Sequence, residues 1–158
     1  MSYVNGGNHL INYRMSRAIK HNPTKKDTKA LKALIVDDLK FNRSLARIIL
    51  ERNNFETQEA ENGVEALLHF EGQKPDVILM DICMPVMGGV EAMRKIRKLN
   101  RGNKVNSIPI IAFTSGEHKE SRSDLMNQGF SEYLKKPFNE EDLFDKLSQF
   151  LPVKKSAS

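Results

Sequence analysis

From residue 31 to about residue 151, short apolar runs alternate with segments whose apolar residues recur at helical spacing. The runs are LKALIVDD (31–38), DVILMD (76–81), IPIIAF (108–113) and SEYLKK (131–136), and a more polar strand is expected near 55–60. Between them, Phe41, Leu45, Ile48 and Ile49 predict the apolar face of one helix, and Val64, Leu67 and Leu68 that of a second. Val90, Met93 and Ile96 predict a third helix over about 89–99, Leu143, Leu147 and Leu151 a last one, and a weaker helix is expected over about 119–127. Asn139 stands before three acids and Asn62 before Gly63 and Glu65, both good N-caps ahead of charges that suit a helix's positive end.

Strand followed by helix, five times over, specifies an α/β fold with a parallel sheet, because each crossover must carry the chain back to the same edge. The runs ALIV, VILM and IIAF are apolar without alternation, as central strands covered on both faces should be. Five units are too few for an eight-stranded barrel, so an open, doubly wound, five-stranded parallel sheet is predicted.

Length and composition agree with one domain plus an extension: 158 residues, 39% apolar and 28% charged, which excludes a fibrous or wholly disordered chain. No apolar run reaches the roughly 18 residues of a membrane span and the first ten residues lack a secretory signal, so a cytoplasmic location is expected. The lone Cys83 excludes an internal disulfide and zinc-finger spacing, and no cation beside it favours a thiolate. His9, His21, His69 and His118 lack ligand spacing.

The net charge of +5 is unevenly placed. Residues 1–30 hold Arg14, Arg17, Lys20, Lys25, Lys26 and Lys29 against Asp27 alone, whereas the other 128 residues hold 19 cations and 19 acids. Three segments follow: a basic extension (1–30), a domain (31–151) and a short tail (152–158). Leu10, Ile11, Met15, Ala18 and Ile19 would share one face of a short basic helix, but the extension carries no clear nucleic-acid motif.

Candidate chemistry lies at the strand ends. All strands of a parallel sheet point one way, so whatever ends them gathers on one edge, where open α/β sheets bind ligands. Here the ends are Asp37 and Asp38, then Asp81, then Thr114 and Ser115, then Lys136 before Pro137. Three aspartates together repel one another, and a divalent cation relieves that repulsion. Oxygen ligands without histidine or thiolate favour a hard ion such as Mg2+. Lys136 adds a point charge suited to phosphate oxygens and Thr114 a hydroxyl donor. Asp81, which follows a wholly apolar strand and precedes the Pro85, Gly88, Gly89 turn, is the candidate phosphoryl acceptor, and that turn is expected to bring backbone N–H groups toward the incoming group.

LIVDD, LMDICMPVMGG, IIAFTS and YLKKPF, in this order over about residues 31–151, resemble the motifs of two-component response-regulator receiver domains, and of stand-alone chemotaxis-type regulators in particular. The resemblance implies a flavodoxin-like receiver fold with strand order 2-1-3-4-5. It implies phosphorylation on Asp81 and Mg2+ held by Asp37, Asp38, Asp81 and the backbone carbonyl of Cys83. Lys136 and Thr114 would meet the phosphoryl group, Tyr133 would turn inward with Thr114, and Lys136–Pro137 would be a cis peptide. Such a protein is a phosphoacceptor rather than an enzyme. It would take its phosphoryl group from a histidine kinase or histidine phosphotransfer protein and signal to a downstream protein target, acting alone because the chain ends seven residues after Leu151. Nothing in the sequence specifies an oligomeric state. Cys83 and Gly116 stand where the family orients the water that attacks the acyl phosphate, and neither offers an amide or carboxylate, so a long-lived phosphoryl group is expected. Competing readings are a haloacid-dehalogenase-type phosphatase, whose nucleophile would instead follow the first strand in a DxD pattern, a phosphorylation-independent adaptor, and a DNA-associated regulator working through the basic extension.

Overall fold

In a computed structural model of the chain, which describes residues 29–100, 108–115 and 121–153, the first apolar run becomes β1 (Leu31–Val36). There follow α1 (Lys40–Arg52), β2 (Phe55–Ala60), α2 (Gly63–Gly72), β3 (Val77–Asp81), α3 (Gly89–Leu99), β4 (Ile110–Thr114), α4 (Arg122–Gln128), β5 (Glu132–Lys135) and α5 (Glu140–Leu147). The strands form one parallel sheet in the order β2-β1-β3-β4-β5. This is the fold and strand order the sequence predicts. The N-terminal extension up to residue 28, with its proposed helical face, lies outside the described residues, as do Gly116, His118 and residues 154–158.

The unbroken apolarity of the central strands has a simple cause. Successive side chains leave a strand on opposite sides, and both sides are covered. Ala33, Ile35, Leu79, Ile111 and Phe113 pack with Ala46, Ile49 and Leu50 of α1 and Leu143, Phe144 and Leu147 of α5. Leu34, Val36, Met80 and Ala112 pack with Phe70 of α2, Met93 and Ile96 of α3 and Leu125 of α4. The edge strands β2 and β5 carry the polar residues, consistent with one side meeting solvent.

Two helix faces differ from expectation. On α1, Phe41 and Ile48 point to solvent, at 77% and 49% exposure, and the buried row is Arg43, Ala46, Ile49 and Leu50. On α2, Val64 and Leu68 are exposed, and Gly63, Ala66 and Phe70 face the sheet. Both helices carry more apolar residues than one face holds, and the small side chains Ala46 and Ala66, which let a helix approach the strands closely, decide which row goes inside. The stripe on α3 falls as predicted, with Met93 and Ile96 buried, and on α5 Leu143 and Leu147 are buried, whereas Leu151 lies past the helix end and packs against the core from the segment that follows.

The caps form as expected. Asn62 accepts from the N–H groups of Val64 and Glu65, and Asn139 forms a reciprocal capping box with Asp142. Helix α4 starts at Arg122, with Ser121 and Asp124 as its own capping box, and ends at Gly129, whose φ of 122° lies where a side chain would be strained. Arg97 of α3 ties the far ends together, donating to the carbonyls of Ile108 (2.6 Å) and Gly129 (3.1 Å) and to the Ser131 hydroxyl (3.2 Å).

Candidate functional site

β1 lies between β2 and β3, so the chain runs outward one way after β1 and the other way after β2. A crevice opens between the carboxyl ends of β1 and β3 at this reversal. Val36 is level with Met80, which places Asp37 beside Asp81. Asp81 is level with Phe113, and Thr114 with Lys135, so Thr114 and Lys136 finish the same edge.

One carboxylate oxygen from each of Asp37, Asp38 and Asp81 lies within 4.8 Å of the others. Asp37 and Asp81 are buried and Asp38 is exposed. The Lys136 ammonium stands between the two buried acids, 2.5 Å from Asp37 Oδ2 and 3.0 Å from Asp81 Oδ2, and 5.9 Å from the centre of the Phe113 ring. Burial pushes the Asp81 carboxyl above the ordinary aspartate value; Lys136 and the Cys83 N–H pull it down and the Asp37 charge pushes it up, leaving a net rise. Asp37 is fastened from other sides as well. It accepts from the Leu39 N–H at 2.9 Å and from the Asn42 amide at 3.1 Å through each oxygen.

The segment after Asp81 is built differently from the expected glycine turn. The left-handed residue is Val86 (φ 67°), within a three-residue turn closed by the Met87 N–H on the Pro85 carbonyl at 2.7 Å. Gly88 has an ordinary extended backbone, and the Gly89 N–H is spent on the Ile82 carbonyl at 2.9 Å. The N–H that faces Asp81 is that of Cys83, 3.4 Å from Oδ1, while the cysteine itself is exposed. Gly89 serves close approach instead: a Cβ there would lie 2.0 Å from the Asp81 carbonyl oxygen.

Thr114 is buried at the end of β4, its carbonyl accepting from the Lys136 N–H at 2.7 Å. The Lys136–Pro137 peptide is cis. Tyr133 is half-buried on β5, with the Lys146 ammonium 5.4 Å from its ring centre.

Three groups escaped the sequence reading. Asn42 and Arg43, in the first turn of α1, serve the acidic turn, and their polarity four and five residues after the acidic pair was the available signal. The third is Glu132, buried on β5, which takes two bonds from Arg122 (3.1 and 2.8 Å) and lies 3.8 Å from Lys146. A lone acid before a tyrosine gives no hint of that. The Arg122 bonds, the Tyr133 N–H and Lys146 outweigh the cost of burial and hold its carboxyl below the usual glutamate range.

Comparison with known proteins places these features in a family. The family model described as the response regulator receiver domain matches residues 33–148. The chemotaxis protein CheY of Halobacterium salinarum is 37% identical over 122 residues, spanning 77% of this chain and 98% of that protein. The CAI-1 autoinducer sensor kinase/phosphatase CqsS of Vibrio cholerae is 33% identical over 129 residues, 82% of this chain but only 18% of the much longer kinase. Among solved structures, the receiver domain of the sensor histidine kinase PA1611 from Pseudomonas aeruginosa, which has a magnesium ion coordinated in its active site cleft, is similar at a TM-score of 0.67 and 30% identity, covering 77% of this chain and 97% of that one. Similar domains thus occur both alone and inside kinases. The chain belongs to the response regulator receiver domain family of two-component signalling proteins.

Proposed function

We infer that this protein is a stand-alone response regulator that takes a phosphoryl group onto Asp81 from a phosphohistidine of a histidine kinase or phosphotransfer protein. One observation carries the reading: Asp37, Asp38, Asp81 and Lys136, from three separate chain segments, converge at the end of the sheet, with oxygens within 4.8 Å of one another and the ammonium 3.0 Å from Asp81.

An oxygen of the Asp81 carboxylate attacks the phosphorus, the bond to the donor's imidazole nitrogen breaks with its electrons leaving on that nitrogen, and an acyl phosphate remains. Burial keeps water from the carboxylate and raises its basicity, which favours attack. Lys136 is within reach of oxygens carried on Asp81, and Thr114, one residue beyond the position level with Asp81, donates its hydroxyl to them. Tyr133, two residues before Lys135, the residue of β5 level with Thr114, carries the change outward to the face formed by α4, β5 and α5, where a downstream protein reads it.

The acid cluster fits a divalent cation. Its donors are all oxygen, and an ammonium already stands between two of them, so positive charge is wanted there. Asp37, Asp38, Asp81 and the carbonyl of Cys83 would hold magnesium. When bound, the ion offsets negative charge on the transferring phosphoryl group. The ion in the similar Pseudomonas receiver supports this assignment.

Incubation with acetyl phosphate and magnesium, followed by mass spectrometry, tests the proposal. A labile phosphoryl adduct is expected on wild type and none on Asp81→Asn. Its absence from both, together with no detectable magnesium binding, would favour an adaptor that works without phosphorylation.

A further inference from the structure

Arg43 is a buried cation on α1 that the phosphoryl chemistry does not use. Its side chain is 6% exposed, and its donors go to four partners. Nη1 donates to the carbonyls of Asp37 (2.7 Å) and Asp38 (3.2 Å), Nε to Glu59 (3.2 Å) and Nη2 to Glu61 (2.5 Å). Burying a guanidinium is costly unless its donors are satisfied. Here they are satisfied by the backbone of the acidic turn on one edge and by two acids at the end of β2 on the other. Arg47, one turn along, pairs with Glu59 at 2.9 Å and with Glu51 at 3.3 Å and reaches neither carbonyl.

A planar guanidinium whose Nη1 holds two consecutive carbonyls while Glu59 and Glu61 fix its Nε and Nη2 leaves the backbone of Asp37 and Asp38 little freedom to rotate. The adjacent Asn42 completes the arrangement by holding the Asp37 carboxylate. Glu59 and Glu61 offset the positive charge of Arg43, so what it contributes to the crevice is geometry rather than field. We propose that Arg43 is a positioning residue of the cation site, fixing through the Asp37 and Asp38 carbonyls where their carboxylates stand without touching the ion. This rests on the reading of Asp37 and Asp38 as cation ligands.

The test is calorimetric titration of the full chain with magnesium chloride in about 0.5 M KCl, where charges beyond roughly 4 Å are screened. Arg43→Lys keeps the charge and loses the fork. Its magnesium dissociation constant is expected to rise about tenfold or more, as for other residues that orient metal ligands. Arg47→Lys makes the same chemical change one turn along, on Glu59 and Glu51 and on neither carbonyl, and is expected to leave the constant unchanged. Should Arg43→Lys fail to fold, Glu61→Gln, which loosens one anchor of the guanidinium, is expected to weaken binding in the same high salt. Wild-type affinity in folded Arg43→Lys, or in Glu61→Gln where that variant is the one measured, overturns the inference, as do equal losses in Arg43→Lys and Arg47→Lys. In those cases the phosphoacceptor reading stands. A wild-type protein that binds no magnesium overturns both.

Discussion

At residue 89 the difference between a hydrogen and a methyl group decides whether α3 can begin beside β3. The missing Cβ would sit 2.0 Å from the Asp81 carbonyl oxygen, closer than any packed contact allows, and that oxygen belongs to the backbone and cannot swing away. Gly89→Ala is therefore expected to lower stability by about 2 kcal/mol in urea unfolding, within the usual range for overpacking. The displaced carbonyl carries Asp81 with it, so the variant should also accept phosphoryl groups poorly. The neighbouring Val86 holds a positive φ that branched residues avoid, a local cost on the order of 1 kcal/mol or more in the segment that follows Asp81. These needs were not legible in the sequence. The string MPVMGG announces a turn, but which residue bends and which is merely crowded depends on the strand behind it. Asp37, Asp38, Asp81, Thr114 and Lys136 were legible because each stands where a strand-like run ends.

Among elements, β5 is tied to its neighbours by charge as well as by its pairing with β4. Glu132 sits buried under Arg122 of α4 and near Lys146 of α5, so one carboxylate links three elements. Its carboxyl titrates lower in the folded chain than in the unfolded one. Such a group contributes stability that is fully present above the unfolded value, near pH 4.3, and is lost as pH falls through the folded value. Glu132→Gln is accordingly expected to cost about 1 kcal/mol at pH 7. The gap from wild type should close in urea titrations below about pH 4, and a gap that stayed constant with pH would assign the loss to packing instead. Pattern reading served the helices unevenly. It placed the inner faces of α3 and α5 and only part of those of α1 and α2, where Leu45, Ile49 and Leu67 do pack inward but Phe41 and Leu68 attract the eye while Ala46 and Ala66 do the closest packing.

For the whole molecule, the acids of the site come from chain segments that only the folded sheet brings together, so the proposed ion binding would be linked to stability. A ligand that binds only the folded chain stabilises it, by about 2.7 kcal/mol at one hundred times its dissociation constant. Urea unfolding with and without magnesium should show such a gain in wild type and a much smaller one in Asp38→Asn; equal gains would place the ion elsewhere. The order β2-β1-β3-β4-β5 came from the resemblance, whereas five strand–helix units came from the pattern itself. The clusters on the two sides of the sheet have a consequence of their own. The hydrogen-bonded backbone works as a dividing wall, with Leu79 reporting to one compartment and its neighbour Met80 to the other. Losses inflicted in separate compartments should simply sum, while two in the same compartment, where side chains share neighbours, should not.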